Sequence, residues 1–285
     1  MVIVMIKKLV LFLMITFIFA STVQAEDNVN PATEKYQKQI ASYDDKIKSH
    51  NKDSNLYFKR AELYVEMYKI DEDISHLSNA YKDYSKAIKL NKKFTNAYFK
   101  RAQLYNYGEY VELFRDAYED LGKVIKLEPK NPNYKEAYAQ RAQLCYAEYS
   151  DITLASMLIE NSSSTEMLSE LLAQAINDYT KAIEFDSNNW QYYFKRGKVY
   201  SAKNEYESAI EDYSKAIELN KSEIVIYLER GQLYEKIKSF DKALEDYKIV
   251  AESENAVTFV KNAAQEGIER ISNAAKSKET TETKE

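Results

Sequence analysis

Five arginines and five aspartates are the residues of this chain whose spacing most suggests chemistry. Arg60, Arg101, Arg141, Arg196 and Arg230 each sit in a similar phrase: YFKRA at 57–61 and 98–102, YAQRA at 138–142, YFKRG at 193–197 and YLERG at 227–231. A row of guanidinium groups could hold a polyanionic ligand. Each arginine is answered, however, by an aspartate further on: Asp83, Asp120, Asp178, Asp212 and Asp246. The separation is 16 residues in the last two cases but 23, 19 and 37 in the first three. A pairing that survives such changes of length implies contact between two elements. A bidentate Arg–carboxylate contact is directional and fixes their register, and buried charges need partners. We therefore read the five pairs as interhelix contacts rather than as a binding ladder.

Little other chemistry is on offer. A single Cys145 excludes a disulfide framework and a cysteine cluster for zinc or iron–sulfur. Cys145 stands where Tyr64, Tyr105, Tyr200 and Tyr234 stand in the sister phrases, so an inert, buried thiol is expected. His50 and His76 have no ligand or triad partner at a recognisable spacing. There is no phosphate loop, HExxH, CxxC or paired-glycine motif, and the carboxylates fall on solvated helix faces. No metal, cofactor or catalytic residue is nominated, and an enzyme is not expected.

The elements that position the arginines follow from periodicity. With five Gly and three Pro in 285 residues, turn chemistry is scarce and long helices are expected. Each opening phrase is followed by a second: AYKDYSKAIKLN (80–91), AYEDLGKVIKLE (117–128), AINDYTKAIEFD (175–186), AIEDYSKAIELN (209–220) and ALEDYKIVAESE (243–254). Apolar and small residues recur every three or four positions in both, the mark of amphipathic helices. Tyr84, Tyr179, Tyr213 and Tyr247 lie on the expected core stripe of the second helices. The last two openings, at Gly197 and Gly231, are 34 residues apart.

That period, with small residues where two helices cross and aromatics between them, resembles the tetratricopeptide repeat family. The resemblance covers roughly residues 36–275 and implies an all-α, right-handed α-solenoid of antiparallel helix pairs. The pairs are expected at about 55–91, 96–129, 136–187, 191–221 and 225–254. The chain departs from the family in two ways: the proline after the second helix survives only as Pro129, and three units are longer than the norm. The third is the longest, and 146–174 is expected to form a projecting helical hairpin, its second helix opened by a capping box at Ser163–Glu166. Ile152, Leu154, Met157, Leu158 and Ile159 would pack there against Met167, Leu168, Leu171 and Leu172. Residues 34–50 read as an N-terminal half-repeat, 256–275 as a closing helix, and 276–285 as a disordered tail.

The family binds extended peptides or partner helices in a groove lined by its first helices. Carried onto this chain, that geometry places Phe58, Lys59, Glu62, Asn96, Phe99, Lys100, Gln103, Gln140, Gln143, Phe194, Lys195 and Lys198 on the groove. Phe beside Lys, repeated in three units, offers apolar pockets and positive heads to an acidic or C-terminal segment. The carboxylate-clamp constellation of the family has only a loose echo in Asn55, Lys59, Asn96 and Lys100.

Residues 1–25 read as a signal peptide: Lys7 and Lys8, an uncharged run from Leu9 to Ala20, and small residues before a cut after Ala25. Residues 26–33 would be a flexible linker. The competing reading keeps residues 1–20 as an uncleaved anchor. Cleavage takes the formal charge from −5 to −7, a poor match to nucleic acid. The expectation is an exported, periplasmic or extracellular protein with no integral membrane segment after signal removal. Its function would be a non-catalytic scaffold of the bacterial cell envelope for a protein or peptide partner, with a homo-oligomer left open. The alternatives are a carbohydrate- or peptidoglycan-binding envelope factor, and an accessory subunit that docks an enzyme through the 146–174 hairpin.

Overall fold

The computed structural model describes residues 31–107, 114–131, 134–159 and 165–282. The expected signal peptide and most of the linker lie outside these residues, as does the start of the capping box. All regular structure among the described residues is helical: α1 (Pro31–Ser49), α2 (Ser54–Asp71), α3 (Ile74–Leu90), α4 (Thr95–Gln103), α5 (Phe114–Leu127), α6 (Lys135–Ile159), α7 (Thr165–Phe185), α8 (Trp190–Ala202), α9 (Tyr206–Leu219), α10 (Ile224–Lys236), α11 (Phe240–Glu252) and α12 (Thr258–Glu282). A short 3-10 turn, Leu104–Tyr107, extends α4. The all-α class built from helix pairs is what the structure shows.

The chain forms two compact units, one holding the residues up to Glu128 and the other most of those from Pro129 onward. In the N-terminal unit α1 to α5 pack each on the next. In the C-terminal unit α7 to α12 do the same, and α12 also touches α10.

Turns are made with little glycine. Asp53, Asp73 and Asn189 cap α2, α3 and α8 by accepting the backbone N–H two residues on, which satisfies one orphan donor of each helix. Glu72, Asn204 and Lys238 take up left-handed backbone at φ 55°, 63° and 62° in the reversals inside three pairs. A non-glycine residue there costs about 1–2 kcal/mol, which the packing of the helices on either side offsets.

The core of each pair has one recipe. The ring of Tyr84, Tyr179, Tyr213 or Tyr247 is at most 2% exposed, and Leu121 takes the same place in α5. Alanines three or four residues to either side (Ala80 and Ala87, Ala175 and Ala182, Ala209 and Ala216) are fully buried. Small residues let the helices approach closely enough to wrap the large ring. The glycines in the first helices serve the same crossing: a Cβ on Gly197 would stand 2.6 Å from Tyr213 Cε1, and one on Gly231 2.9 Å from Tyr247 Cε1.

The long third pair runs through α6 and α7. Leu172 is buried there, while Leu154 and Met167 remain 59% and 49% exposed. The side chains of Met157, Leu158 and Ile159 lie outside the described residues. α12 continues to Glu282, through most of the segment expected to be disordered. Once a helix exists, each added residue needs only its own hydrogen bond, and Lys and Glu are good helix formers.

Candidate interaction groove

Each of the five arginines meets its aspartate. Nε and Nη2 of Arg60 donate to Asp83 at 2.7 Å each, and Arg101, Arg141, Arg196 and Arg230 reach Asp120, Asp178, Asp212 and Asp246 through the same two nitrogens at 2.7–2.8 Å. The carboxylates are buried, Asp178 completely. Burial is the largest influence on Asp120, Asp212 and Asp246 and pushes their carboxyls upward, while the arginine bonds pull them down. The pair is charged nonetheless: a guanidinium does not give up its proton in this range, and it occupies both carboxylate oxygens.

The guanidiniums do more than pair. Nη1 of Arg101, Arg196 and Arg230 donates to Ser85, Thr180 and Ser214 at 2.8–2.9 Å. Each acceptor lies on the second helix of the preceding pair, 16 residues upstream, and Asp44 on α1 serves Arg60 in the same way. One side chain thus ties three helices together. Tyrosine rings cover the guanidinium, as with Tyr193 and Tyr200 at 5.8 Å from Arg196. Ser85, Thr180 and Ser214 share the sixth place of their second-helix phrases.

With the arginines committed to structure, a ligand must meet other side chains. In the N-terminal unit the faces of α2 and α4 form a shallow concavity of about 140 Å³. Glu62, Lys100 and Gln103 line it, together with Val65, Glu66, Lys69, Leu104 and Tyr107, over Tyr84. The added positions continue the stripe from Glu62 at helical spacing. Phe58 is corrected: it is 6% exposed, packed against Tyr84 at 5.6 Å and Phe94 at 4.9 Å, and belongs to the core. Its place one turn before Glu62 puts it over the seam between pairs, where an aromatic ring is buried. Lys59 is exposed and bonded to Glu62 at 2.8 Å, and Asn96 is exposed at the start of α4, beyond the concavity. Phe99 is half-buried and does not line it.

In the C-terminal unit Lys195 of α8 donates to Gln143 of α6 at 2.9 Å, so two expected groove residues meet across adjacent first helices. Burial lowers the Lys195 pKa. Phe194 is half-buried, 5.7 Å from the Tyr213 ring, with the Lys198 ammonium 5.7 Å above it. Gln140 is partly buried on α6. These residues stitch first helices together more than they offer an open pocket.

Comparison with known proteins matches the geometry. The family described as TPR repeat, the tetratricopeptide repeat, matches residues 171–203 and 198–238. Residues 171–238 thus resemble tetratricopeptide repeats. Among solved structures it is similar to YrrB, described as a TPR protein with an unusual peptide-binding site, with TM-score 0.58 and 16% identity over 79% of this chain and 97% of that one. It is also similar to pilF of Pseudomonas aeruginosa, at TM-score 0.51 and 12% identity over 82% and 96% of the two chains. MamA from residue 41 to its end, from Desulfovibrio magneticus RS-1, gives 0.50 and 15% over 66% and 91%. At such identities the likeness is one of fold. No curated protein sequence matches significantly.

Two further features bear on the chemistry open to the helices. Cys145 is fully buried, and its thiol is pushed up to about 12 by that burial, with Asp178 adding to the effect. Among the described residues no group of three or more His, Cys, Asp or Glu is placed to hold a metal, and no helix is long and apolar enough to cross a membrane.

The closing helix α12 is held electrostatically as well as by packing. Arg270 donates from Nε and Nη2 to both carboxylate oxygens of Glu235 at 3.1 Å, and Tyr247 donates to the same group at 2.7 Å. The Arg270 bond, with help from Tyr247, holds the Glu235 carboxyl below its ordinary value of 4.5. A carboxyl lowered on folding contributes stability above its unfolded pKa and loses it as pH falls through the folded value. Acidification from neutrality to below the ordinary glutamate range is therefore expected to loosen α12. Hydrogen exchange of residues 263–271, corrected for intrinsic rates, should show this loss, and Glu235→Gln should flatten it. An equal loss in Glu235→Gln would remove this carboxylate from the account.

Proposed function

We propose that this tetratricopeptide-repeat chain is a non-catalytic scaffold of the bacterial cell envelope, exported by its N-terminal segment. It binds a peptide or helix of a partner protein on the faces of its first helices. The carrying observation is the concavity between α2 and α4, where Glu66, Lys69, Lys100 and Gln103 stand around Val65 and Tyr107. Such a lining offers donors and acceptors to a peptide backbone and apolar surface to its side chains. A description of YrrB that mentions a peptide-binding site supports the same use of a like fold.

Selection of a displayed random-peptide library on the whole protein tests the reading. A bound sequence class is expected, weakened about tenfold or more by Lys100→Ala with Gln103→Ala, since two charged or polar contacts are lost. Both side chains are partly exposed, so the melting temperature should change little. Selected peptides that bind the double variant as tightly would move the site elsewhere.

A further inference from the structure

A second surface lies on the other side of the N-terminal unit. Between α3 and α5 runs an open recess of about 620 Å³, floored by Tyr98, Ile88 and the Arg101–Asp120 pair. Its walls carry Lys89, Lys92, Lys123 and Lys126 against one further carboxylate, Glu119. The Arg101 charge is already met by Asp120, so the recess is positive although the protein is acidic overall.

The origin of this charge is visible in the repeats themselves. In α7 and α9 the lysine of the second-helix phrase bonds a glutamate three residues on, Lys181 to Glu184 at 2.8 Å and Lys215 to Glu218 at 2.9 Å. In α3 and α5 the corresponding pairs are Lys86–Lys89 and Lys123–Lys126. Each glutamate has become a lysine. Like charges at this spacing cost helix stability. Among the described residues none of the four lining lysines is drawn into an ion pair.

The geometry points to this recess as a docking site for an extended acidic segment of a partner protein, distinct from the concavity between α2 and α4. Charge complementarity selects the class. The recess is as wide as the gap between two helices, has an aromatic and aliphatic floor, and is bounded on one side by Glu119, which suits a chain with a few spaced carboxylates. The aliphatic and aromatic floor and the Glu119 carboxylate in the wall suit the mixed side chains of a peptide better than an unbroken row of phosphates or a flat anionic membrane.

The test is fluorescence anisotropy of a labelled peptide of alternating Glu and Ala against the full chain. The peptide is expected to bind, more weakly as salt rises, and its Gln-for-Glu counterpart is not. Lys89→Glu with Lys126→Glu should weaken binding by about tenfold or more, two attractions having become repulsions. That variant places Glu three residues after Lys86 and Lys123, the pairing already present in α7 and α9, so the fold should hold. Lys89→Gln with Lys126→Gln should give an intermediate loss, and Lys100→Ala with Gln103→Ala none. Three results would overturn the proposal: no binding by the acidic peptide, binding unchanged in both lysine variants, or tighter binding through the same lysines by oligo-dT or by phosphatidylglycerol-containing vesicles.

Discussion

Replacing Asp212 with alanine is expected to lower the melting temperature by about 10 °C. Arg196 would lose both bonds at 2.7–2.8 Å while its side chain stays only 16% exposed. A buried charge stripped of its partner costs about 3–5 kcal/mol, and at this chain length each kcal/mol is worth about 2–4 °C. The remaining bond to Thr180 cannot neutralise the guanidinium. The helix interfaces on both sides of α8 should weaken together, because that one side chain spans them. Alanine at both Arg196 and Asp212 should be less damaging than the two single losses added, by about 1–3 kcal/mol of coupling. Thermal melts of the four proteins measure both quantities. Additive losses would mean that the ion pair is incidental to the packing around it.

The second large effect is expected at Gly267. The Tyr247 ring is clamped between two glycines, Gly231 of α10 on one edge and Gly267 of α12 on the other. A Cβ on Gly267 would stand 2.7 Å from Tyr247 Cζ and 2.8 Å from Cδ2, closer still to Cε2. Glycine inside a helix ordinarily costs about 1 kcal/mol relative to alanine, so substitution would help α12 if space allowed. It does not, because the ring is fully buried and its hydroxyl is held by Glu235. Gly267→Leu is expected to cost about 2–3 kcal/mol by overpacking and to release α12 from α10 and α11. Hydrogen exchange should then rise through residues 258–271 while α8 and α9 keep their protection. Unchanged exchange in α12 would show that the ring moves aside cheaply.

What could be read in advance tracks how often a feature is repeated. The Arg–Asp contacts were legible because the partners kept their places in two phrases while the distance between them varied. The tyrosine stripe and the alanines around it were legible for the same reason. Features written once, or written in ordinary surface residues, were not. Ser85, Thr180 and Ser214 look like exposed hydroxyls on a helix, and only the guanidinium above them reveals their part. Gly267 lies in the closing helix, outside the five phrases. The left-handed turns at Glu72, Asn204 and Lys238 carry no glycine to announce them. The family resemblance places Phe58 on the groove with Glu62, but a resemblance of pattern cannot say where the neighbouring pair covers a first helix, and Phe94 covers Phe58. Lys89 and Lys126 were plain in the phrases, yet their meaning appears only when Glu184 and Glu218 are seen bonding the lysines that precede them.

On the function proposed above, the first helices of the N-terminal unit form a peptide-binding surface. Hydrogen-exchange mass spectrometry of the full chain, with and without a display-selected peptide, measures it most directly. The peptide is expected to slow exchange in residues 62–69 and 100–107, where side chains of α2 and of α4 with its 3-10 extension line the concavity. A bound peptide that leaves both segments unchanged would contradict the claim.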